Sequence, residues 1–265
     1  MNPTLTIPRR IFQTWKTHSV PEKWKTSPDS IKIYMPSWKH VLFDDQDNLQ
    51  FVQDFFPEYV DLFVHLRYPI QRADFIRYCY LFIYGGVYAD LDIEFISPID
   101  NLFVNVNNEN DPNIVYLLKA PKNFAGHYTN FFMASTPRNP FWLVVLRECL
   151  EPLAPWVRLP HNIISEQTGL ACLSRAVKKA LQTNQSKIIT LPFHNLVPCD
   201  ICSDTSEYVK KPFYYTKFLK GGSWNGLDTF IFNSFFCNFI EWICIGVFFI
   251  LVLFLKRLKL KFINS

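Results

Sequence analysis

The stretch YGGVYADLDIEF, residues 84–95, sets Asp90 and Asp92 one residue apart directly after a short β-prone run. Residues i and i+2 of a strand share a face, so the two carboxylates can point to one place, in the strand or in the turn that ends it. Two hard oxygen ligands at one point suit Mg²⁺ or Mn²⁺. Such an ion completes its shell with water and substrate phosphate, and it neutralises a diphosphate leaving group. A nucleotide-activated sugar carries that leaving group. A bare Asp-x-Asp also fits a solvated acidic turn, so context has to decide. The context is Asp74 and Arg77, one helical turn apart on the preceding segment. An arginine there can grip phosphate or hydroxyl groups bidentately, and an aspartate can accept from sugar hydroxyls. The same two residues equally make a structural ion pair that caps the helix.

Several elements must hold these residues. RIFQTW (10–15) reads as a first strand, and WKHVLF (38–43) as a second that ends at Asp44 and Asp45. The next segment places Leu49, Val52 and Phe56 at helical spacing, and Pro57 stops it. In IQRADFIRYCYLFIYGG, residues Ile70, Ala73, Arg77, Tyr80, Leu81 and Tyr84 recur at three- and four-residue steps, and Gly85 and Gly86 follow as a helix C-cap. VYADLD is then a strand stopped by its acids. Residues 113–120 and SKIITLPF read as further strands, NPFWLVVLRECL and TGLACLSRAVKKAL as helices. Alternating strands and helices indicate an α/β fold, whose strand ends are where such sheets bind ligands.

The chain has 265 residues, 49% hydrophobic and 17% aromatic, which excludes disorder and allows a large buried core. Its net charge of +4 is dispersed, and the lack of a basic stripe argues against nucleic acid. Seven cysteines, an odd number, do not form a disulfide framework, and Cys199 and Cys202 read as ordinary loop cysteines. The first residues contain no apolar core of a signal peptide. Residues 235–255, FFCNFIEWICIGVFFILVLFL, read as a membrane anchor, with a buried core helix as the alternative. Lys256, Arg257, Lys259 and Lys261 follow, a basic cluster that favours the cytoplasmic side. That orientation would place the globular part in a lumen, as the sequon Asn184-Gln185-Ser186 also suggests, whereas a tail anchor without a signal peptide would leave it in the cytosol. The expected organisation is one catalytic domain over 1–228, then an anchor and basic tail over 229–265, on an endomembrane of the ER or Golgi type.

YPIQRADFIRYCYLFIYGGVYADLDIEFISPID resembles the core motif of the DxD-containing sugar transferases of glycosyltransferase family 32. That family includes Golgi α-1,6-mannosyltransferases and mannosyltransferases acting on inositol phosphoceramide. IPRRIFQTWKT, SWKHVLFDD, TNFFMASTPRNPFW and QTGLACL are similar to its other segments, so the resemblance covers residues 7–228. It implies a GT-A-type, Rossmann-like single domain, a divalent metal (Mn²⁺ or Mg²⁺), and retention at the anomeric carbon. It implies that Asp90 and Asp92 serve metal and donor, with Asp92 the direct ligand, and that Asp74 and Arg77 hold the donor sugar. Gln13 and Trp15 would lie near the nucleotide base, with strand packing the other reading, and Asn130 would be a sugar-side polar residue or a loop hydrogen-bonding group. The family's last motif carries histidines around Gly-Ser-Trp. Here FLKGGSWNG keeps Gly222, Ser223 and Trp224 but has Phe218 and Asn225 at the histidine positions. Asn225 is then the remaining candidate ligand, and Trp224 a donor-side residue.

The expectation is a membrane-associated, metal-dependent transferase that moves a hexose, mannose by resemblance, from a nucleotide sugar such as GDP-mannose to a glycan or glycolipid. The altered last motif motivates an alternative, a non-catalytic, membrane-tethered scaffold with the same fold. A metal-dependent phosphohydrolase ranks below both, because no histidine cluster or general base accompanies the carboxylates.

Overall fold

The computed structural model describes residues 6–104, 112–120, 127–196, 214–219, 221, 226–237 and 243. Strand β1 (Arg10–Thr14) runs parallel to β2 (Lys39–Phe43) on one side and to β3 (Gly86–Ala89) on the other. Parallel neighbours need long crossovers. Helix α1 (Thr26–Tyr34) joins β1 to β2, and α2 (Asp45–Phe55), α3 (Val60–His65) and α4 (Pro69–Tyr84) join β2 to β3. Beyond the short strand β4 (Ile93–Phe95) come β5 (Ile114–Lys119) and β6 (Tyr128–Ser135), then α5 (Pro140–Glu148), α6 (Pro160–Gln167) and α7 (Leu170–Thr183). The chain continues through β7 (Lys187–Leu191), α8 (Phe193–Leu196), β8 (Thr216–Phe218) and α9 (Leu227–Cys237). Among the described residues, six strands form one sheet in the order β2-β1-β3-β6-β5-β7, while β4 and β8 form a separate antiparallel ribbon. In the large sheet β6 alone is reversed, antiparallel to both β3 and β5. The α/β expectation therefore holds, with a mostly parallel sheet.

Side chains alternate across this sheet, as strand geometry requires. Phe12, Tyr88, Val115, Leu117 and Met133 face a core shared with α2, α4, α5 and α7. Ile11, Val87, Ala89, Tyr116 and Phe132 face a second core closed by α1 and the β4–β8 ribbon. The three- and four-residue periodicity of this segment does form a helix, and α4 is buried on almost every side from Gln71 to Ile83, because α2, α3, α5 and α6 wrap the faces the sheet leaves open. Its end is set by Gly85 (φ +61°) and Gly86 (φ +92°). A Cβ on Gly85 would lie 2.5 Å from the Pro137 nitrogen, and one on Gly86 2.7 Å from the Arg10 carbonyl oxygen. Only glycine lets the helix turn straight into β3 there.

Asp44 and Asp47 form the capping box that starts α2. Cys79, Cys149 and Cys172 are buried free thiols. Among the described residues no helix is long and apolar enough to cross a membrane. The anchor expected over 235–255 lies outside the described residues beyond its first few positions, as do Cys199, Cys202 and the segment 222–225.

Candidate active site

β1 and β3 end side by side at the edge where α4 begins. β3 stops at Ala89, and Asp90, Leu91 and Asp92 form the turn that follows, closed by the Ile93 N–H donating to the Asp90 carbonyl at 3.1 Å. Tyr88, the last but one residue of the strand, donates its hydroxyl to Asp90 Oδ1 at 2.8 Å. Arg77 reaches the same oxygen from α4 at 3.2 Å, and its other terminal nitrogen lies 3.2 Å from Asp74 Oδ1. It also donates to the Asn130 carbonyl at 2.8 Å and to the Ala73 carbonyl at 3.0 Å, and its plane covers the Tyr88 ring at 4.6 Å. With Arg77 only 2% exposed, these contacts commit its guanidinium to ordering Asp74 and Asp90. Asp74 accepts further from Asn130 Nδ2 at 2.9 Å and Thr168 Oγ1 at 3.1 Å. Asn130 thus stands on β6 and is buried under the site.

Two carboxylates, Asp74 and Asp90, therefore share one buried cation, and Asp92 has no ion pair among the described residues. Burial pushes the Asp74 carboxyl up to about 7, with Asp90 adding repulsion against the opposing pull of Arg77. Burial also raises Asp90, while Arg77 and the Tyr88 hydroxyl hold it back. Asp92 is pushed to about 7 by burial and then by Asp90. No other described residue hydrogen-bonds the Asp92 carboxylate. An acceptor-only pair of oxygens with surplus negative charge matches a hard divalent cation, so Asp92 and the outer oxygen of Asp90 fit the metal that the sequence implies.

The floor beneath Asp90 is built by Gln13. Its amide nitrogen donates to Ser27 Oγ at 2.9 Å and to the Asp90 carbonyl at 3.3 Å, and its Oε1 lies 3.0 Å from His40 Nε2. Burial, then Lys32, lowers His40 to about 4, so the ring is neutral and its Nε2–H is the donor. Gln13 is fully buried and spent on these contacts. Trp15, by contrast, sits just past β1, packs edge-on against Trp24 at 4.8 Å, and lines a cleft of about 330 Å³. Thr14, Ile70, Ala73 and Ile164 line it too, so the cleft begins one residue from both Gln13 and Asp74.

The carboxy-terminal segment closes the other side. β8 pairs with β4, which sets Phe218 opposite Ile93, and the Phe218 ring packs edge-on against Phe131 at 5.2 Å. The Leu219 N–H donates to the Asp92 carbonyl at 2.7 Å. Gly221 then approaches so closely that a Cβ on it would stand 1.8 Å from Asp92 Oδ2. Trp224 and Asn225 lie outside the described residues. Asp228 receives the His161 N–H at 2.8 Å and ties the segment to the start of α6. A second set, His18, Asp44 and Asp47, brings its ligand atoms within 4.8 Å, although Asp44 and Asp47 already cap α2.

The sequence reading named Asp74, Arg77, Asp90, Asp92, Gln13, Trp15 and Asn130, and the structure gathers them around two strand ends. It missed Tyr88, Ser27, His40 and Thr168, which are uncharged at neutral pH and carry no spacing signal. The GG pair before Ser-Trp was visible, but the use of Gly221 against Asp92 was not.

Residues 21–111 match the family described as the glycosyltransferase sugar-binding region containing a DXD motif, and Asp90-Leu91-Asp92 falls within that span. The resemblance to DXD-containing sugar transferases therefore holds. Two mannosyl phosphorylinositol ceramide synthases of Saccharomyces cerevisiae are similar to this chain. One is 33% identical over 168 residues, covering 63% of this chain and 41% of the relative. The other is 27% identical over 275 residues, covering 93% and 66%. The chain thus spans less than two thirds of either relative's length. Among solved structures, the PaToxG glycosyltransferase aligns with a TM-score of 0.47 at 18% identity, over 68% of this chain and 73% of that one.

Proposed function

We propose that this protein is a metal-dependent, GT-A-type glycosyltransferase that moves a hexose, mannose by its relatives, from a nucleotide sugar to a glycan or glycolipid. The observation that carries the reading is the buried Arg77 guanidinium paired with both Asp74 and Asp90, with Asp92 two residues on, near a cleft walled by Trp15. Trp15 would offer a ring for the nucleotide base, and the acids would face the diphosphate and sugar. Asp92 and Asp90 would hold a divalent ion, which when bound neutralises the departing nucleoside diphosphate. Arg77 and Tyr88 fix the rotamer of Asp90, and Gln13 fixes its backbone, so the acids need no reorganisation during the reaction. Asp74, 4% exposed and already bonded to Arg77, Asn130 and Thr168, would accept from a sugar hydroxyl only by exchanging one of those partners.

The relatives' names support a sphingolipid head group as acceptor, and the apolar segment 235–255 with its basic tail supports an endomembrane location. The competing scaffold reading draws on Phe218, which brings a packed ring and no ligand atom to the site. Nucleotide release from a panel of nucleotide sugars, with Mn²⁺ and full-length protein in lipid, separates the two. Release from one donor that disappears on chelation and in Asp92→Asn is expected. Equal release by the variant sinks the metal assignment, and silence with every donor favours the scaffold.

A further inference from the structure

Helix α9 is built inside out. Its polar residues turn inward: Asp228 accepts the His161 N–H at 2.8 Å, and the Thr229 hydroxyl lies 3.2 Å from the His161 ring. Thr229 is only 4% exposed. Leu227, Phe230 and Ile231 share the opposite face by their three- and four-residue spacing, and they are 76%, 69% and 57% exposed. A helix on a water-facing surface places its apolar stripe against the core and its polar side outward. Here that order is reversed. Single exposed apolar residues are ordinary, whereas a grouped set marks an interaction surface. The set continues onto α6, which packs against α9. Leu159, also exposed, directly precedes α6, and Trp156 in the loop before it is 82% exposed. Pro160 and His161 at the start of α6, with Gly226, Asp228 and Thr229 around the start of α9, line the cleft beside Trp15. Leu159 and Leu227 are chain neighbours of that lining, so the apolar face borders the cleft.

We infer that this face of the globular domain rests on a lipid bilayer, with Leu227, Phe230, Ile231, Leu159 and Trp156 in the boundary between head groups and acyl chains. The chain itself argues for that occupant. Helix α9 runs directly into the apolar run 235–255, which is followed by Lys256, Arg257, Lys259 and Lys261. A segment of that length and composition suits a membrane, and its first residues belong to the helix that shows the apolar face. A tryptophan has an apolar body and one N–H donor, which favours the same boundary. Helices seated this way sink their apolar face about 5–10 Å into it. The inference rests on the membrane reading of residues 235–255 and goes a step further. That segment would bring the protein to a bilayer, and this face would fix how the domain lies on it, with the cleft held at the membrane surface.

The test is quenching of Trp156 emission in full-length protein reconstituted into vesicles of phosphatidylcholine with some phosphatidylserine. The emission of Trp156 is the difference between the native chain and Trp156→Phe, which cancels every other tryptophan, including Trp242 in the apolar run. With phosphatidylcholine brominated high on its acyl chains, that difference should lose most of its intensity. Iodide on both sides of the bilayer should leave it unchanged. The double variant Leu227→Ser/Phe230→Ser keeps residues 235–255 and both groups that meet His161, and circular dichroism verifies its fold. In it, measured against the same variant with Trp156→Phe, iodide should quench Trp156 and brominated lipid should not. Iodide quenching in the native chain places the face in water and overturns the inference. Silence to both quenchers places it under protein, either residues 238–255 or a second copy, and overturns it equally. Bromine quenching that survives in the double variant shows that α9 does not seat the face, and refutes it as well. In these three cases flotation of the native chain with the vesicles leaves the membrane reading standing. A native chain that does not float removes that reading and this inference with it.

Discussion

Replacing Asp92 by Asn should make the metal-free protein more stable at pH 8, while destroying its response to Mn²⁺. The carboxyl of Asp92 moves from an ordinary 3.8 to about 7 in the folded chain, by burial and by the charge of Asp90. A raised carboxylate means that the folded state binds more protons than the unfolded one between those two values. Stability is therefore fully present below pH 4, falls as pH rises toward 7, and stays low above it. Three units at 1.36 kcal/mol each set a ceiling of about 4 kcal/mol. Asp92 is only partly buried, and solvent screening reduces this to about 1–2 kcal/mol. For a chain of this size that corresponds to a Tm difference of about 2–8 °C. Asparagine keeps the shape and removes the charge. Thermal melts of full-length protein in detergent with chelator should coincide for native and variant at pH 4, and the variant should melt higher at pH 8. Adding Mn²⁺ at pH 8 should raise the native Tm and leave the variant's unchanged. A variant that melts lower than native at pH 8 without metal would refute the claim that Asp92 is an uncompensated charge.

Three further outcomes follow from the same geometry. Arg77→Ala leaves Asp74 and Asp90 buried without a counter-charge and should cost about 3–5 kcal/mol, seen as a large drop in Tm; Arg77→Lys keeps the charge but cannot reach both acids and Asn130, so it should fold and lose most nucleotide release. Gly221→Ala drives a methyl into Asp92 Oδ2 and should weaken Mn²⁺ binding at least about tenfold while shifting Tm little, since Gly221 is exposed; native Mn²⁺ affinity would disprove the close approach. Gly86→Ala meets both a positive φ and the Arg10 carbonyl, and should destabilise by about 2 kcal/mol or more, measured by chemical denaturation.

The acids were legible because chemistry marks them. Asp90 and Asp92 stand one residue apart at the end of a β-prone run, and Asp74 and Arg77 stand a helical turn apart before a double glycine. Such spacing survives in one dimension. Strands β1, β2, β5 and β7 were likewise legible from short apolar runs, and α2, α5 and α7 from their periodicity. Helix α1 was not read, because its residues 26–34 bury only one large apolar side chain, Ile31. Strand β6 was not read as a strand either. Its run YTNFFMAS is apolar on both faces because it is buried between β3 and β5, so it has no alternation to show.

What the sequence by itself determined is the inventory: a paired carboxylate motif, an arginine and aspartate ahead of it, and glycines that force the helix-to-strand turn. These follow from local geometry, which spacing encodes. Tertiary structure alone decided how the inventory is used. It turned Arg77 inward to bridge Asp74 and Asp90 across 53 residues to the Asn130 carbonyl, and it spent Gln13 on the turn beneath Asp90. It also laid Gly221 against Asp92 through the β4–β8 pairing and left Asp45 and Lys16 facing one cleft. The reason is physical: burial and charge pairing depend on contacts between residues far apart in the chain, and those contacts raise the Asp92 carboxyl to about 7 while an isolated turn would leave it ordinary.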